Sequence, residues 1–410
     1  MRRVAVTGIG VVSPLGNSAA EAFEGARAGR SGIRVLDFPF AARLSTPLAA
    51  TAALDETAHF SGMQLRMMDR FSLFALFAAN QAVEDSQRAL AGADRSRVGV
   101  FIGTGMGGST SMDEGYKTLY GDDSDRIKPF TILLGMHNAA AAWIGIEHGL
   151  KGPNMTYSTA CSSSAVAIGE AWLRVASGQL DVALAGGAEA PLSRGSLQAW
   201  CALHTVALLD AAEPSASCRP FSKNRSGMVL GEGAAMLVME PWERARSRGA
   251  HILGEILGYG LSTDASHITR PSVDGQAAAM RAALLSAEIG ADEVQAINAH
   301  GTGTQANDST ETVAIKAVFG ERAAEIPISA TKAVHGHLLG AAGALECVLS
   351  LQAMLHGVAL PTMHLQIPDP ACDLDYVPHI AREGVAARTM LSNSFAFGGT
   401  NAVLVLGAGI

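Results

Sequence analysis

Five short runs, residues 4–7, 98–102, 182–185, 235–239 and 402–406, are apolar almost throughout and bordered by glycine. A strand with one face in water alternates apolar and polar residues; a run without polar positions needs cover on both faces. Longer stretches of helical spacing, 69–90, 163–176, 275–287 and 338–355, separate these runs. Together they predict an α/β protein of layered sheets. Hydrophobic residues make up 48% of the 410 residues and aromatics only 5%, so the core must be aliphatic and alanine-rich. The chain is long enough for two or three domains or one duplicated unit. A β-prone run leads into Thr159-Ala160-Cys161, and residues 296–298 lead into Ala299-His300. That echo, with the charged stretch 241–248 as junction, predicts two halves, 1–250 and 251–410.

A net charge of −8 excludes a generally basic nucleic-acid binder. The start, Met1-Arg2-Arg3 before apolar residues, fails as a secretion signal because Gly8, Gly10, Pro14 and Gly16 interrupt it. Residues 129–146 form the longest uncharged stretch, but His137 and Asn138 lie inside it, so it reads as a buried helix rather than a membrane span. The five cysteines form no C-x-x-C pair, which argues for a reducing compartment and a cytoplasmic protein.

Four segments have the residue types that chemistry needs. Cys161 ends a β-prone run and is followed by Ser162-Ser163-Ser164, which places its sulfur at a helix N-terminus, where unpaired amides favour thiolate. A thiolate is the nucleophile of acyl transfer; a buried cysteine beside a serine cap fits the same string. His300-Gly301-Thr302-Gly303-Thr304 sets a histidine before two hydroxyls and two glycines, suited to a polar chain lying across a turn or to a plain loop. Lys332 precedes His335 and His337, which are two apart, so an extended segment presents only one of them to a given pocket. No Cys or Asp completes a zinc-ligand spacing there, and no metal is expected. Phe397-Gly398-Gly399-Thr400-Asn401 is either half of an oxyanion hole or a hairpin turn. The glycine-rich string 103–108 is set aside as a nicotinamide site.

In this order the four segments resemble those of a β-ketoacyl-acyl carrier protein synthase, closest to the type II elongating enzymes (KAS II-like). The resemblance runs from Ala5 to the C-terminal strand and includes Arg219-Pro220-Phe221 and Gly231-Glu232-Gly233. It implies the thiolase fold, two similar halves stacked α-β-α-β-α about a pseudo-twofold axis. It implies a decarboxylative condensation that lengthens an acyl chain by two carbons, with no bound cofactor and with substrates carried on the phosphopantetheine of an acyl carrier protein. By resemblance, Cys161 is the nucleophile, and its amide with that of Phe397 forms the oxyanion hole. His300 and His337 hold the malonyl thioester carbonyl, Lys332 keeps them neutral, and Thr302 and Thr304 bind the arm. Gly398 and Gly399 count among the substrate-binding residues, while Asp308, Glu311 and Glu346 support the site. Taken alone, those three acids read as helix-face charges.

Several positions depart from the family pattern. Trp200 stands where a smaller aromatic lines the acyl pocket, and Met106 takes another lining position. With His137 and Asn138 in the segment that reaches toward a partner's pocket, these residues suggest a shorter or more polar tunnel; ordinary packing is the alternative. Arg66, Arg70 and His204 fall near the family's carrier-docking positions, where Met67 replaces a usual base. A homodimer is expected, or a heterodimer with a chain-length-factor-like subunit. Two other readings are a non-catalytic chain-length factor, against which Cys161 counts, and a coenzyme A-dependent thiolase-fold acyltransferase. The latter usually brings a second cysteine near the C-terminus, where this chain has only Cys372.

Overall fold

The computed structural model describes residues 1–409. Its main sheet has ten strands: β1 (Val4–Val12), β2 (Val98–Gly103), β3 (Asn154–Tyr157), β4 (Val182–Glu189), β5 (Gly233–Pro241), β6 (Gly254–Thr263), β7 (Ala296–Asn298), β8 (Ile328–Ser329), β9 (Thr389–Phe395) and β10 (Thr400–Ala408). Their spatial order is β3-β2-β4-β5-β1-β6-β10-β9-β7-β8. Counting each set of five in chain order, both sets run third, second, fourth, fifth, first. The pairings repeat as well: β3, β2 and β4 are parallel, as are β8, β7 and β9, whereas β5, β1 and β10, β6 continue antiparallel. The two sets meet where Val4, Ala5 and Val6 pair antiparallel with Ile256, Glu255 and Gly254. The echo seen in the sequence is thus a repeated topology.

Residue alternation explains the layers. Phe101, Ala183, Ala185 and Leu237, with Ala402, Leu404 and Leu406, face a core shared with α3 (Ser163–Ala176) and α6 (Ala342–His356). The intervening Val100, Ile102, Leu184, Met236 and Val238 pack on α1 (Arg70–Asp85) and α2 (Ala139–His148). On the second set, Val403 and Val405 turn toward α4 (Val273–Ala287) and α5 (Gln305–Phe319). The architecture is therefore α/β with five layers, helices inside and on both outer faces. Helices α3 and α6 cross at close range: a Cβ at Gly343 would lie 3.1 Å from Ala165. Leu339–His356 is long and apolar enough to cross a membrane, yet 83% of it is buried between the sheets.

Residues 129–146 correct the expectation of one buried helix. Phe130 is left-handed, a short helix spans Thr131–Gly135, and α2 begins only after Asn138. Ala140, Ala141 and Ile144 face the core, whereas Ile132, Leu133, Met136 and Ile146 are exposed. An apolar residue type marks a surface that wants cover, and here that cover is not within the chain. The stretch 338–355 also differs at its start, where Leu339–Ala341 form a 3-10 turn with Leu339 at φ 46°.

Candidate active site

Strand β3 ends at Tyr157, and the chain turns through Ala160, held at φ +50°, into a 3-10 turn over Ala160–Ser162 that opens α3. A non-glycine residue in the left-handed region is strained, and this strain throws Cys161 to the head of the helix. Ser163 Oγ stabilises the turn, accepting from Thr159 N–H at 2.9 Å and donating to the Ala160 carbonyl at 2.6 Å. His300 follows β7 in the second half, two residues past the strand end. His337 lies in a segment pinned to residues 229–231 by its own N–H to the Val229 carbonyl, 2.6 Å, and by Gly231 N–H to its carbonyl, 2.9 Å. Phe397 sits in the tight β9–β10 turn, where Gly398 and Gly399 adopt φ of 87° and 77°, values that favour glycine.

These three elements converge. Cys161 Sγ and one ring nitrogen each of His300 and His337 all lie within 4.8 Å of one another, and all three side chains are buried. The imidazole planes meet at 81°, with ring centroids 5.4 Å apart. Leu339 N–H donates to His337 Nδ1 at 3.2 Å, which fixes Nδ1 as acceptor and leaves the hydrogen on Nε2. Lys332 Nζ stands 3.4 Å from His300 Nδ1 and does the same there. His337 Nε2 has no partner among the described residues. The cluster thus presents two N–H donors beside one sulfur. A metal would need lone pairs at those Nε2 atoms, so this donor set suits a carbonyl oxygen rather than a cation.

Burial holds both imidazoles well below the usual histidine range, and the Lys332 ammonium adds repulsion. They are neutral donors at neutral pH. Burial also pushes the Cys161 thiol up to about 12, against the opposing pull of Lys332 and of a hydrogen bond from Phe397 N–H. Desolvation thus works against the thiolate that the helix position was expected to favour. Cys161 waits as a thiol whose proton must leave during attack.

Residues 1–245 match the family described as Beta-ketoacyl synthase, N-terminal domain, and residues 253–366 match Beta-ketoacyl synthase, C-terminal domain. The chain belongs to the β-ketoacyl synthase family. It is 43% identical over 403 residues to nodulation protein E of Rhizobium meliloti, covering 98% of both chains. It is 42% identical over 411 residues to the 3-oxoacyl-acyl carrier protein synthase 2 of Coxiella burnetii, covering 99% of this chain and 98% of that one. Among solved structures, the ishigamide ketosynthase/chain length factor superposes with a TM-score of 0.93 at 35% identity over 99% of each chain. A type II polyketide ketosynthase in complex with its acyl-carrier protein gives 0.91 at 31% identity, also over 99% of each. The layered duplication is thus the thiolase fold, and the synthase is a condensing acyltransferase of fatty acid or polyketide synthesis.

A cavity of about 100 Å³ leads to the synthase's sulfur, lined by Cys161, His300, His337, Thr302, Thr304 and Phe397 among others. Thr302 and Thr304 hydroxyls lie 2.9 Å apart, and Thr304 also caps α5. Gly399 lines this cavity; Gly398 does not, and a Cβ there would meet nothing. Met106 and Trp200 are absent from the cavity wall and join the apolar cluster that contains Cys161, with Leu197, Met228 and Leu339. Trp200 Nε1–H points at Met106 Sδ, 3.4 Å away, and its ring stacks on Phe397 at 6.3 Å.

The acids are not helix-face charges. Glu311 accepts from the backbone N–H of His300 and Gly301 at 2.8 and 2.9 Å. Asp308 accepts from Thr302 N–H at 3.1 Å and Phe221 N–H at 2.8 Å, and Glu346 pairs with Lys332. All three are fully buried. Glu189, which sequence reasoning missed, is also fully buried; a carboxylate closing the otherwise apolar strand β4 was the available signal. It accepts from Gly105 and Met106 N–H, so these two amides of the 103–108 string, whose letters do fit G-x-G-x-x-G, are not free for a pyrophosphate. His335 is buried behind the site, hydrogen-bonded to Thr331 Oγ1 at 3.0 Å. Arg70 is not a free docking base: Glu232 holds it at 2.8 and 3.0 Å, Glu56 pairs with it, and it stacks on Phe74. Arg66 and His204 are exposed.

Proposed function

We propose that Cys161 takes an acyl group from a carrier-protein thioester and that His300 and His337 then direct decarboxylation of a malonyl-carrier thioester on the same site. The sulfur attacks the acyl carbonyl, the oxyanion is met by the N–H groups of Cys161 and Phe397, and the carrier thiolate leaves with the cysteine proton. The malonyl thioester carbonyl next accepts from the two Nε2–H donors. Loss of carbon dioxide leaves an enolate whose charge falls on that oxygen, and neutral imidazoles hold it without protonating the carbon. The carbon attacks the acyl-Cys161 carbonyl and expels the Cys161 thiolate, which takes a proton from water. The product is a β-ketoacyl thioester two carbons longer. The carrying observation is the 4.8 Å cluster of one sulfur and two imidazole nitrogens.

The Thr302 and Thr304 hydroxyls line the way in and suit the amides of a phosphopantetheine arm, so no cofactor need reside in the protein. We place the enzyme in the cytoplasm, where carrier and free thiols coexist; all five cysteines are unpaired. The exposed apolar row of Phe130, Ile132, Leu133 and Met136, with Met155 on edge strand β3, supports an extensive contact with a second subunit, either another copy or a chain-length-factor-like protein. A catalytic subunit is favoured over a chain-length factor by the intact cluster. Intact-mass analysis after incubation with acyl-carrier thioesters tests the assignment: a mass gain on Cys161 supports it, and modification elsewhere refutes it.

A further inference from the structure

Glu189 receives four hydrogen bonds from two segments that belong to different halves of the fold. Its Oε1 accepts from Met106 N–H at 3.0 Å and Thr104 Oγ1 at 3.2 Å. Its Oε2 accepts from Gly105 N–H at 2.6 Å and Gly340 N–H at 2.9 Å. The two segments touch: a Cβ at Gly340 would lie 2.3 Å from Gly105 N, so no side chain fits between them. Two N–H groups aimed at one point are left unsatisfied unless an acceptor stands there.

On each side the anchored residue adjoins the proposed chemistry. Met106 carries the sulfur that meets Trp200 Nε1–H, and Trp200 stacks on Phe397, whose N–H bonds Cys161. Gly340 follows Leu339, whose N–H locks the His337 tautomer. We infer that Glu189 is a positioning residue that ties the acyl-pocket wall at Met106 to the turn behind His337, setting both acyl-chain preference and decarboxylation from one carboxylate. This rests on the roles proposed for Cys161 and His337.

Glu189→Gln tests it at nearly constant shape. An amide offers one oxygen, so its NH2 must face either the Met106 side or the Gly105–Gly340 side. Two readouts are followed: Cys161 acylation across butyryl to hexadecanoyl carrier thioesters, by intact mass, and carbon dioxide release from malonyl-carrier thioester in a Cys161→Ala background. The expected result is a changed chain-length order with decarboxylation lowered about 10- to 100-fold, as for a reacting group misplaced by about 1 Å. An equal loss in both readouts with the chain-length order preserved, or no loss in either, would overturn it. Should Glu189→Gln fail to fold, Thr104→Val removes the donor to Oε1, together with the acceptor of Gly107 N–H, and leaves the Oε2 side intact. It should shift the chain-length order and spare decarboxylation, and an unshifted order would overturn the inference. Failure of the underlying assignment looks different: acylation that survives Cys161→Ala, or decarboxylation indifferent to His337.

Discussion

Lys332 Nζ donates to the His300 carbonyl at 2.7 Å and stands 3.4 Å from Nδ1 of the same residue. One buried ammonium therefore fixes both the backbone and the tautomer of His300, while Glu346 balances its charge. Removing it by Lys332→Ala frees the His300 hydrogen to move to Nδ1, where it cannot reach substrate. Decarboxylation is expected to fall about 10²- to 10³-fold, the usual loss for one oxyanion donor. Acylation of Cys161 should fall less. The double variant with Glu346→Gln checks that the loss is not unfolding from an unpaired buried charge.

His335 gives a stability prediction with a definite sign. Burial first, then Lys332, holds its pKa down to about 3, and its Nδ1 has no partner among the described residues. Below pH 6.5 the unfolded chain takes up a proton that the folded chain refuses until about pH 3, so stability is lost as pH falls through that window. Relative to His335→Thr, the parent should lose about 1.6 kcal/mol between about pH 6.5 and 5, the slope rising toward about 1.4 kcal/mol per unit as the unfolded imidazole becomes fully protonated. Urea unfolding of both proteins at the two pH values reads this; equal losses would contradict it.

Trp200 and Met106 pack against the apolar cluster that contains Cys161. The parent should be acylated faster by butyryl and octanoyl than by hexadecanoyl carrier thioesters, and Trp200→Ala should narrow that gap about tenfold or more. Equal use of the longest chain by the parent would remove the basis for a restricted tunnel.

The two arginines near the carrier-docking positions should behave differently. Arg66→Glu is expected to slow transfer from the carrier thioester, in a salt-sensitive way, without affecting a small thioester of the same acyl group. Arg70→Ala should instead destabilise the fold by about 1–3 kcal/mol, because Glu232 is left buried with its charge partner gone. Thermal unfolding and transfer rates measured together distinguish the two outcomes.

The sequence made the strands legible because residues covered on both faces leave no polar interruption: runs at 98–102 and 402–406 lie within β2 and β10. His337 was separable from His335 only through family likeness; in space His335 faces Thr331 and His337 faces the cavity. The acids were illegible. A carboxylate whose partners are backbone N–H groups far along the chain, as with Glu189 and Gly340, leaves no local pattern. The 129–146 stretch misled for a related reason, since apolar residues that end up exposed look in sequence like apolar residues in a core.

The most direct measurement is carbon dioxide release from malonyl-carrier thioester by Cys161→Ala, alone and combined with His337→Ala. The first variant keeps both imidazole donors and should retain decarboxylation; the second should lose it about 10²- to 10³-fold. Release that vanishes with the sulfur and persists without His337 would contradict the assignment of the enolate to the two histidines.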